Sequence, residues 1–234
     1  MRPWNSLPIC DCGESLEVIP PQIFCLKPHP YLSVGAPYLN ASDPWKLRQG
    51  VIRLLLNAQK KLQLLHPSLG LAIFDGWRPI AVQAYMVEHS IHQECLLRGI
   101  DRSKSFYSSS FQEVVDEVSK FWAPATFDPK APPPHSTGGA VDITLIGSDN
   151  HQVDMGGNID DISPISNPNY YKKKGLSDLD SKEYLWHSRR SLLTEIMQDS
   201  GFIPHPYEWW HFSYGDQLWA WKSNLKQAIY GTTN

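Results

Sequence analysis

The 234-residue sequence lacks both an excess of basic residues and a long apolar segment, and each absence excludes a class of partner. The formal net charge is -3, and the longest basic run is the three lysines at 172–174. Because nucleic-acid binding requires clustered positive charge, we expect no nucleic-acid partner. No stretch is apolar over the length that crosses a bilayer, so we expect no membrane partner either.

The first thirty residues also lack the uninterrupted apolar region of a secretory signal peptide. Prolines and acidic residues interrupt this part of the chain, namely Pro3, Pro8, Asp11, Glu14, Glu17, Pro20 and Pro21. We therefore expect a cytoplasmic protein. The sequence contains no internal repeat, and nothing in it indicates the oligomeric state.

Cysteine is scarce, and its four copies allow three interpretations. Cys10, Cys12 and Cys25 lie near the N-terminus, and Cys95 lies in a predicted helix. Three clustered cysteines can contribute to a structural zinc site, but no fourth ligand stands at a standard spacing. A disulfide from Cys25 to Cys10 or Cys12 requires an oxidising compartment. Free thiols are therefore the favoured interpretation.

The composition is typical of a globular protein, with 41% hydrophobic and 19% charged residues. We predict a single domain over residues 1–234, with a proline-rich arm at 1–41 and a C-terminal tail at 222–234. Apolar periodicity predicts helices at 44–65, 80–98 and 111–122, and one from a Ser181 cap to a Gly201 cap. Strands are predicted at 22–26, 71–74, 140–146, 151–155 and 208–213. The polar loop at 156–180 is longer than ordinary connections, so we interpret it as mobile or as a pocket wall or lid.

Residues 132–145 contain the first candidate site, because His135 and Asp142 lie seven positions apart around a Gly138-Gly139 pair. Glycine tolerates positive φ and allows a sharp turn there. The β-branched, apolar run that follows predicts a buried strand. Imidazole nitrogen and carboxylate oxygen both bind zinc at roughly 2 Å. The turn and strand can thus hold two zinc-competent side chains together.

Residues 208–211, with the letters EWWH, form the second candidate site. Positions i and i+3 of a regular strand face opposite sides, so Glu208 must lie where the strand begins and a twist or bulge re-aims it. We predict a zinc ion bound by His135, Asp142 and His211, with Glu208 as the base for an attacking water. Three protein ligands leave a fourth position open, as in catalytic zinc sites. The alternative for His211 is a hydrogen-bonded structural histidine.

Arg78 is a third candidate, because it lies on the predicted turn between strand 71–74 and the helix that starts at Ile80. Rigid scaffolds often display functional side chains on such turns. The alternative is a surface charge or a partner for Asp75.

Together these motifs resemble those of the zinc D-alanyl-D-alanine dipeptidases, the VanX-like branch of the D,D-peptidases. The family pattern S-x-H-x-x-G-x-A-x-D, followed by E-x-W-H, matches residues 135–142 and 208–211. The turn at 75–79, the segment at 154–156 with an acidic pair after it, and the helix ending at Gly201 also fit. The resemblance covers residues from about 70 to 213. The sequence departs from the family pattern at Pro133, where the pattern has serine. This position is expected to lie near bound substrate.

The resemblance implies a role for each matched residue. His135, Asp142 and His211 would bind one zinc ion per chain. Glu208 would take a proton from the attacking water and deliver it to the leaving amine. Arg78 would stabilise the oxyanion of the tetrahedral intermediate.

The implied reaction is hydrolysis of the dipeptide D-Ala-D-Ala to two D-alanines. A dipeptidase must hold a free ammonium, which requires an acidic group in a small pocket. Asp160 or Asp161 matches the acidic position of the family, and we prefer Asp160; the alternative is a solvated loop acid. Ser136 and Thr137 are predicted to offer a hydroxyl or a backbone N–H to the substrate.

Tyr31 and Tyr38 in the N-terminal arm are weaker candidates for the pocket wall.

Two other functions stay open: a D,D- or L,D-carboxypeptidase acting on longer peptidoglycan stem peptides, and a non-catalytic zinc-binding module like the hedgehog-type signalling domains. The presence of Glu208 and Arg78 favours an enzyme, because a structural zinc site needs neither. The implied fold is α+β, with a central antiparallel sheet carrying the zinc site and helices packed around it, as in hedgehog and D,D-peptidase domains.

Overall fold

Seven strands are present in residues 2–38, 43–105 and 108–233, the part of the chain that the computed structural model describes. In chain order they are β1 (Leu16–Val18), β2 (Phe24–Cys25), β3 (Lys46–Arg48), β4 (Leu69–Asp75), β5 (Ala140–Gly147), β6 (Ile203–Pro204) and β7 (His211–Ser213). The central sheet has the order β2-β4-β5-β7-β6, and β1 pairs with β3 separately. Strands β2 and β4 are parallel and the other neighbours are antiparallel. The sheet is therefore mixed, whereas an antiparallel one was predicted.

Helices lie on both sides of this sheet. They are α1 (Pro30–Ser33), α2 (Gln49–Leu65), α3 (Ile80–Leu97), α4 (Arg102–Ser105), α5 (Ser109–Phe121), α6 (Lys172–Ser177), α7 (Lys182–Gln198) and α8 (Gln217–Lys222), with 3₁₀ turns at Pro3–Ser6, Pro134–Thr137 and Pro164–Ser166. Helices α2 and α7 share one apolar cluster with the sheet, and α3 and α5 form a second cluster with Tyr31. None of the helices in the described residues has the length and hydrophobicity that a bilayer crossing requires.

Helix α2 illustrates how the core forms. Val51, Leu55, Ala58 and Leu62 are completely buried, and their spacing places them on one stripe of the helix. Burying a side chain such as leucine stabilises the fold by about 1.5–3 kcal/mol. This stripe covers the apolar face of β4 and β5 and thereby fixes which side of each strand faces away from the core.

Alternation along β5 separates the core from the site. Val141, Ile143 and Leu145 belong to the core cluster that contains α2 and α7. Because neighbouring side chains of a strand point to opposite faces, Asp142 lies on the other face. His211 of β7 stands directly opposite Asp142 and lies on that same face.

A bulge in β4 adds a third polar side chain to this face. Ile73 pairs with Ile143, but Asp75 pairs with Asp142, so one extra residue, Phe74, lies between the two pairings. In a regular strand Asp75 would share the core face of Ile73, and the extra residue turns it to the opposite face. Asp75, Asp142 and His211 consequently form one row across three strands.

The predicted elements agree with the structure best where an apolar pattern is long. Helix α3 ends within one residue of its predicted end, and the side chain of Ser181 caps α7 as predicted. Helix α2, however, begins at Gln49 instead of residue 44, because residues 46–48 pair with β1. Helix α5 starts at Ser109 after a Ser108 cap, two residues earlier than predicted. The predicted strand at 151–155 is reduced to a bridge between Ile146 and Gln152.

The predicted fold class is confirmed: one α+β domain carries a buried polar site on its central sheet. Residues 39–41 of the predicted arm, and both chain ends, lie outside the described residues. The loop at 156–180 contains a 3₁₀ turn and α6. All four cysteines are free thiols, in agreement with the favoured interpretation.

Candidate metal centre and active site

His135, Asp142 and His211 converge in one buried cluster, as predicted. His135 lies on the 3₁₀ turn at Pro134–Thr137, which ends at Gly138 with φ 70°. That positive φ suits glycine and directs the chain into β5. One ligand-type atom from each of the three side chains lies within 4.8 Å of the other two. In the described residues this is the one cluster of at least three such side chains with the spacing of a metal site.

The distances between these atoms fit a metal ion. His135 Nε2 lies 3.2 Å from His211 Nδ1 and 3.3 Å from an Asp142 carboxylate oxygen, and His211 Nδ1 lies 3.1 Å from the other oxygen. Two donor atoms that each bind a tetrahedral zinc ion at about 2.1 Å are about 3.4 Å apart. The three side chains can therefore share one ion with only small movements.

Hydrogen bonds on the outer side of each ring orient both histidines. The carbonyl oxygen of Gly76 accepts from His135 Nδ1 at 2.8 Å, which directs the Nε2 lone pair towards the cluster. Ser213 Oγ donates to Asp216 at 2.7 Å and lies 3.3 Å from His211 Nε2, so it accepts from that nitrogen. The His211 Nδ1 lone pair then faces the cluster too. Two lone pairs and a carboxylate meet in one space, an arrangement that a cation stabilises.

Glu208 lies just before the two-residue turn that leads into β7, the position predicted for it. Its carboxylate oxygens are 3.7 Å from His211 Nδ1 and 3.5 Å from His205 Nδ1. Burial and the negative charge of Asp142 raise the pKa of Glu208 to about 8. A carboxyl group with a pKa near neutrality can accept a proton and return it within one reaction cycle.

Arg78 is held beside the cluster by several groups at once. Its Nε and Nη2 donate to Asp75 Oδ2 at 3.0 and 2.7 Å, and its Nη1 donates to Gln83 at 2.8 Å. The Nη2 atom also lies 3.4 Å from Asp142. Arg78 is therefore both a partner of Asp75 and a fixed positive charge next to the candidate ligands.

Asp160 joins the same network through Tyr31. The Tyr31 hydroxyl accepts from Arg78 Nη2 at 3.0 Å and donates to Asp160 at 2.9 Å. Asp160 lines the pocket around His135, Asp142 and His211, which we call the metal pocket. Asp161 instead accepts a backbone N–H within its own loop. Burial and the charge of Asp142 raise the pKa of Asp160 to about 7. Asp160 is thus the loop acid that reaches the pocket.

The other predicted substrate residues have different surroundings. Ser136 Oγ donates to the Arg78 carbonyl at 2.8 Å, and Thr137 Oγ1 donates to the Pro134 carbonyl at 2.6 Å. Both side chains are buried and stabilise the turn that carries His135. A direct contact of either hydroxyl with substrate stays a prediction, and it would require these hydrogen bonds to break.

Tyr38 and Pro133 lie around the site and not in the metal pocket. The Tyr38 hydroxyl donates to Asp75 at 3.4 Å, behind Arg78. Pro133 lines a crevice next to the pocket, together with Arg2 and Leu218.

Polar residues that sequence reasoning did not single out also line the pocket, among them Arg2, Gln83 and His205. Burial, and then the neighbouring His211, lower the pKa of His205, which favours a neutral ring beside Glu208. His205 lies three residues before Glu208, and this short distance along the chain would have indicated that His205 is near the site. Arg2 had no such signal, because it is 76 positions before Arg78, the nearest residue predicted to act in the reaction.

Comparison with known proteins gives four similarities. A family model described as D-Ala-D-Ala dipeptidase, of peptidase family M15, matches residues 25–230. A D-alanyl-D-alanine dipeptidase of Synechocystis sp. is 44% identical over 229 residues, which cover 97% of this chain and 92% of that protein. A D-alanyl-D-alanine dipeptidase of Enterococcus faecalis is 32% identical over 149 residues, 63% of each protein. The solved structure of the LdcB LD-carboxypeptidase covers 93% of this chain with a TM-score of 0.44 and 14% identity.

Proposed function

Because the chain belongs to the D-Ala-D-Ala dipeptidase family of M15 metallopeptidases, we propose that it hydrolyses D-Ala-D-Ala to two molecules of D-alanine. The observation that carries this proposal is the buried cluster of His135, Asp142 and His211 with Glu208 beside it. A non-catalytic metal site would need no carboxyl group with a pKa shifted towards neutrality next to the ligands.

The three side chains would hold one zinc ion. Their donor set of two imidazoles and a carboxylate is typical of catalytic zinc, and their spacing fits it. A zinc ion bound there supplies a Lewis acid that polarises a carbonyl group and makes water more acidic.

Glu208 is the proton-transfer group in this proposal. It takes a proton from the attacking water and then gives it to the nitrogen of the leaving D-alanine. Its burial keeps bulk water away from the carboxyl group, and the adjacent neutral His205 leaves Glu208 free of a permanent ion pair. General acid–base transfer of this kind contributes about 10²–10⁴-fold to a rate.

Arg78 stabilises the negative charge that develops on the carbonyl oxygen. Asp75 and Gln83 hold its guanidinium in place before the reaction, so no reorganisation is needed when the charge appears. Preorganised donors of this type contribute about 3–4 kcal/mol to the stabilisation of a transition state.

Asp160 binds the free ammonium of the substrate. It is the acidic group at the Arg78 side of the pocket, and Tyr31 fixes the direction of its carboxylate. A substrate with a blocked amino group would lack this interaction, which favours a free dipeptide over a longer peptide.

The carboxypeptidase alternative keeps one structural argument. A groove of about 960 Å³ between α3, α5 and residues 158–164 opens from the Asp160 side of the pocket. The amino-terminal part of a longer stem peptide could lie in this groove if Asp160 did not demand a free ammonium.

Alanine release by the purified, zinc-loaded protein separates these functions. D-Ala-D-Ala, L-Ala-L-Ala and N-acetyl-D-Ala-D-Ala are supplied in parallel, with Glu208→Ala as the blank. Release from free D-Ala-D-Ala alone is the expected result. Release from the acetylated substrate would identify a carboxypeptidase, and no release from any substrate by zinc-loaded protein would identify a binding module.

A further inference from the structure

The N-terminal segment forms one wall of the metal pocket. Arg2 and Trp4 line it, and Trp4 is 6% exposed. The Trp4 ring packs against Trp221 and the His205 ring, with centroids 5.6 and 6.0 Å away. Gln217 of α8 donates to two backbone carbonyls of this segment at 3.3 and 2.6 Å. The segment is therefore anchored on the domain, and it holds Arg2 at the pocket.

Hydrogen bonds fix the position of the Arg2 guanidinium, but they involve only one of its three nitrogens. Its Nη2 donates to the carbonyl of Phe121 at 2.8 Å and approaches that of Lys120 at 3.5 Å. These carbonyls lie at the C-terminal end of α5, where the helix dipole favours a cation. Within the described ranges, Arg2 Nε and Nη1 have no hydrogen-bond partner and no carboxylate forms an ion pair with Arg2. Arg78, the other arginine of the pocket, by contrast forms an ion pair with Asp75 and donates to Gln83.

Partial burial of the Arg2 guanidinium without an ion pair has an electrostatic cost. Burial lowers the pKa of Arg2, and the charge of Glu208 opposes that change. Removing a charge from water is unfavourable unless an opposite charge or hydrogen bonds replace the water. An anionic group of a ligand would supply both.

Arg2 and Asp160 occupy different sides of the pocket. Arg2 also lines the crevice with Pro133 and Leu218, whereas Asp160 also lines the large groove with Tyr31. A free dipeptide carries an ammonium at one end and a carboxylate at the other. The two side chains thus match the two ends of such a substrate in charge.

We propose that Arg2 binds the C-terminal carboxylate of the substrate and makes the enzyme specific for peptides with a free C-terminus. This inference rests on the proposed function, because it takes a free dipeptide as the ligand. The C-terminal residue then lies on the side of Glu208, which protonates its amine as it leaves. The amino-terminal residue lies towards Asp160 and Arg78.

The test compares D-Ala-D-Ala with its C-terminal amide, which keeps every group except the carboxylate. Values of kcat and KM are measured for both substrates with zinc-loaded wild type, Arg2→Gln and Arg2→Lys. Arg53→Gln is the control, since Arg53 is exposed on α2. A charge-assisted contact of this kind predicts a loss of about 10- to 100-fold in kcat/KM for Arg2→Gln on the free acid, mostly through KM. Turnover of the amide stays close to that of wild type, and Arg2→Lys keeps part of the preference for the acid.

Binding gives a second readout that does not depend on turnover. The dissociation constant of D-Ala-D-Ala is measured by calorimetry on the zinc-loaded Glu208→Ala variant, with and without Arg2→Gln. The Arg2 change is expected to weaken this binding by the same factor as kcat/KM.

Each other outcome overturns the inference in a recognisable way. Equal losses on the acid and the amide would mean that Arg2 only supports the fold of the segment. Unchanged values for both substrates would mean that the carboxylate lies elsewhere. If wild type does not hydrolyse D-Ala-D-Ala at all, the proposed function fails first, and the role of Arg2 fails with it.

Discussion

Replacing Asp75 by asparagine tests how the sheet supports the site. Asp75 is completely buried; its Oδ2 accepts two hydrogen bonds from Arg78 and lies 3.2 Å from His135 Nδ1. Its Oδ1 lies 3.3 Å from His29 Nε2. The substitution keeps the shape of the side chain and removes its charge. Arg78 then keeps one nearby carboxylate, Asp142, at 3.4 Å.

Two magnitudes follow from this geometry. Removing one partner of a buried ion pair costs about 3 kcal/mol of stability. For a chain of this length, that lowers the melting temperature by about 6–12 °C. Arg78 would also be drawn towards Asp142, a candidate metal ligand, and His135 would lose one outer partner. Loss of such outer contacts typically weakens metal binding by about 10–100-fold.

The stability effect should depend on pH with a definite sign. Burial alone raises the pKa of Asp75, but the charge of Arg78 and then the hydrogen bond from His29 hold it below its ordinary value. A carboxyl group with a lowered folded-state pKa stabilises the protein above its unfolded-state pKa, and this contribution is lost as the pH falls through the folded-state pKa. The difference between Asp75→Asn and wild type is therefore complete at neutral pH and shrinks in acid.

Thermal unfolding of the metal-free proteins, followed by circular dichroism, and zinc competition against a chelator measure these effects. Asp149→Asn is the matched control, because Asp149 lies on an exposed turn. If Asp75→Asn melted at the temperature of the control and bound zinc as tightly, the row of side chains across the sheet would have no supporting role.

Three further predictions concern single groups of the site. Glu208→Ala should keep its zinc and lose about 10²–10⁴-fold in kcat; elemental analysis and alanine release measure both, and a near-normal rate would remove Glu208 from the mechanism. His211→Ala should lose zinc while the exposed His151→Ala control retains it, and full zinc content in His211→Ala would contradict the ligand assignment. The KM for D-Ala-D-Ala should rise as the pH falls through about 7, because protonated Asp160 no longer attracts the ammonium. Asp160→Asn should abolish that dependence, and the same KM profile in both proteins would exclude Asp160 from ammonium binding.

The sequence predicted those parts of the site that depend on local geometry. His135 and Asp142 are separated by a glycine turn and a short strand segment, so their spacing alone brings them together. The position of Glu208 before β7 followed from the period of a strand, which forbids residues i and i+3 from sharing a face. In each case the relevant constraint acts within a few residues of the chain.

The remaining features depend on contacts between distant segments. Residues 46–48 continue an apolar helical pattern, and they form a strand because β1 offers them hydrogen-bond partners. The parallel pairing of β2 with β4 has no local signal either. Arg2 reaches the pocket because Trp4 and α8 anchor the N-terminal segment, whose sequence has no regular apolar pattern.

The extra residue at Phe74 allows two neighbouring side chains to share one face of the sheet. Phe74 packs against the apolar cluster of α3 and α5, while the next residue, Asp75, stands opposite Asp142. In a regular strand neighbouring side chains point to opposite faces, so one of these two would lie in the apolar core beneath α2. The bulge therefore joins an apolar packing contact directly to the polar site, without an intervening residue between the two.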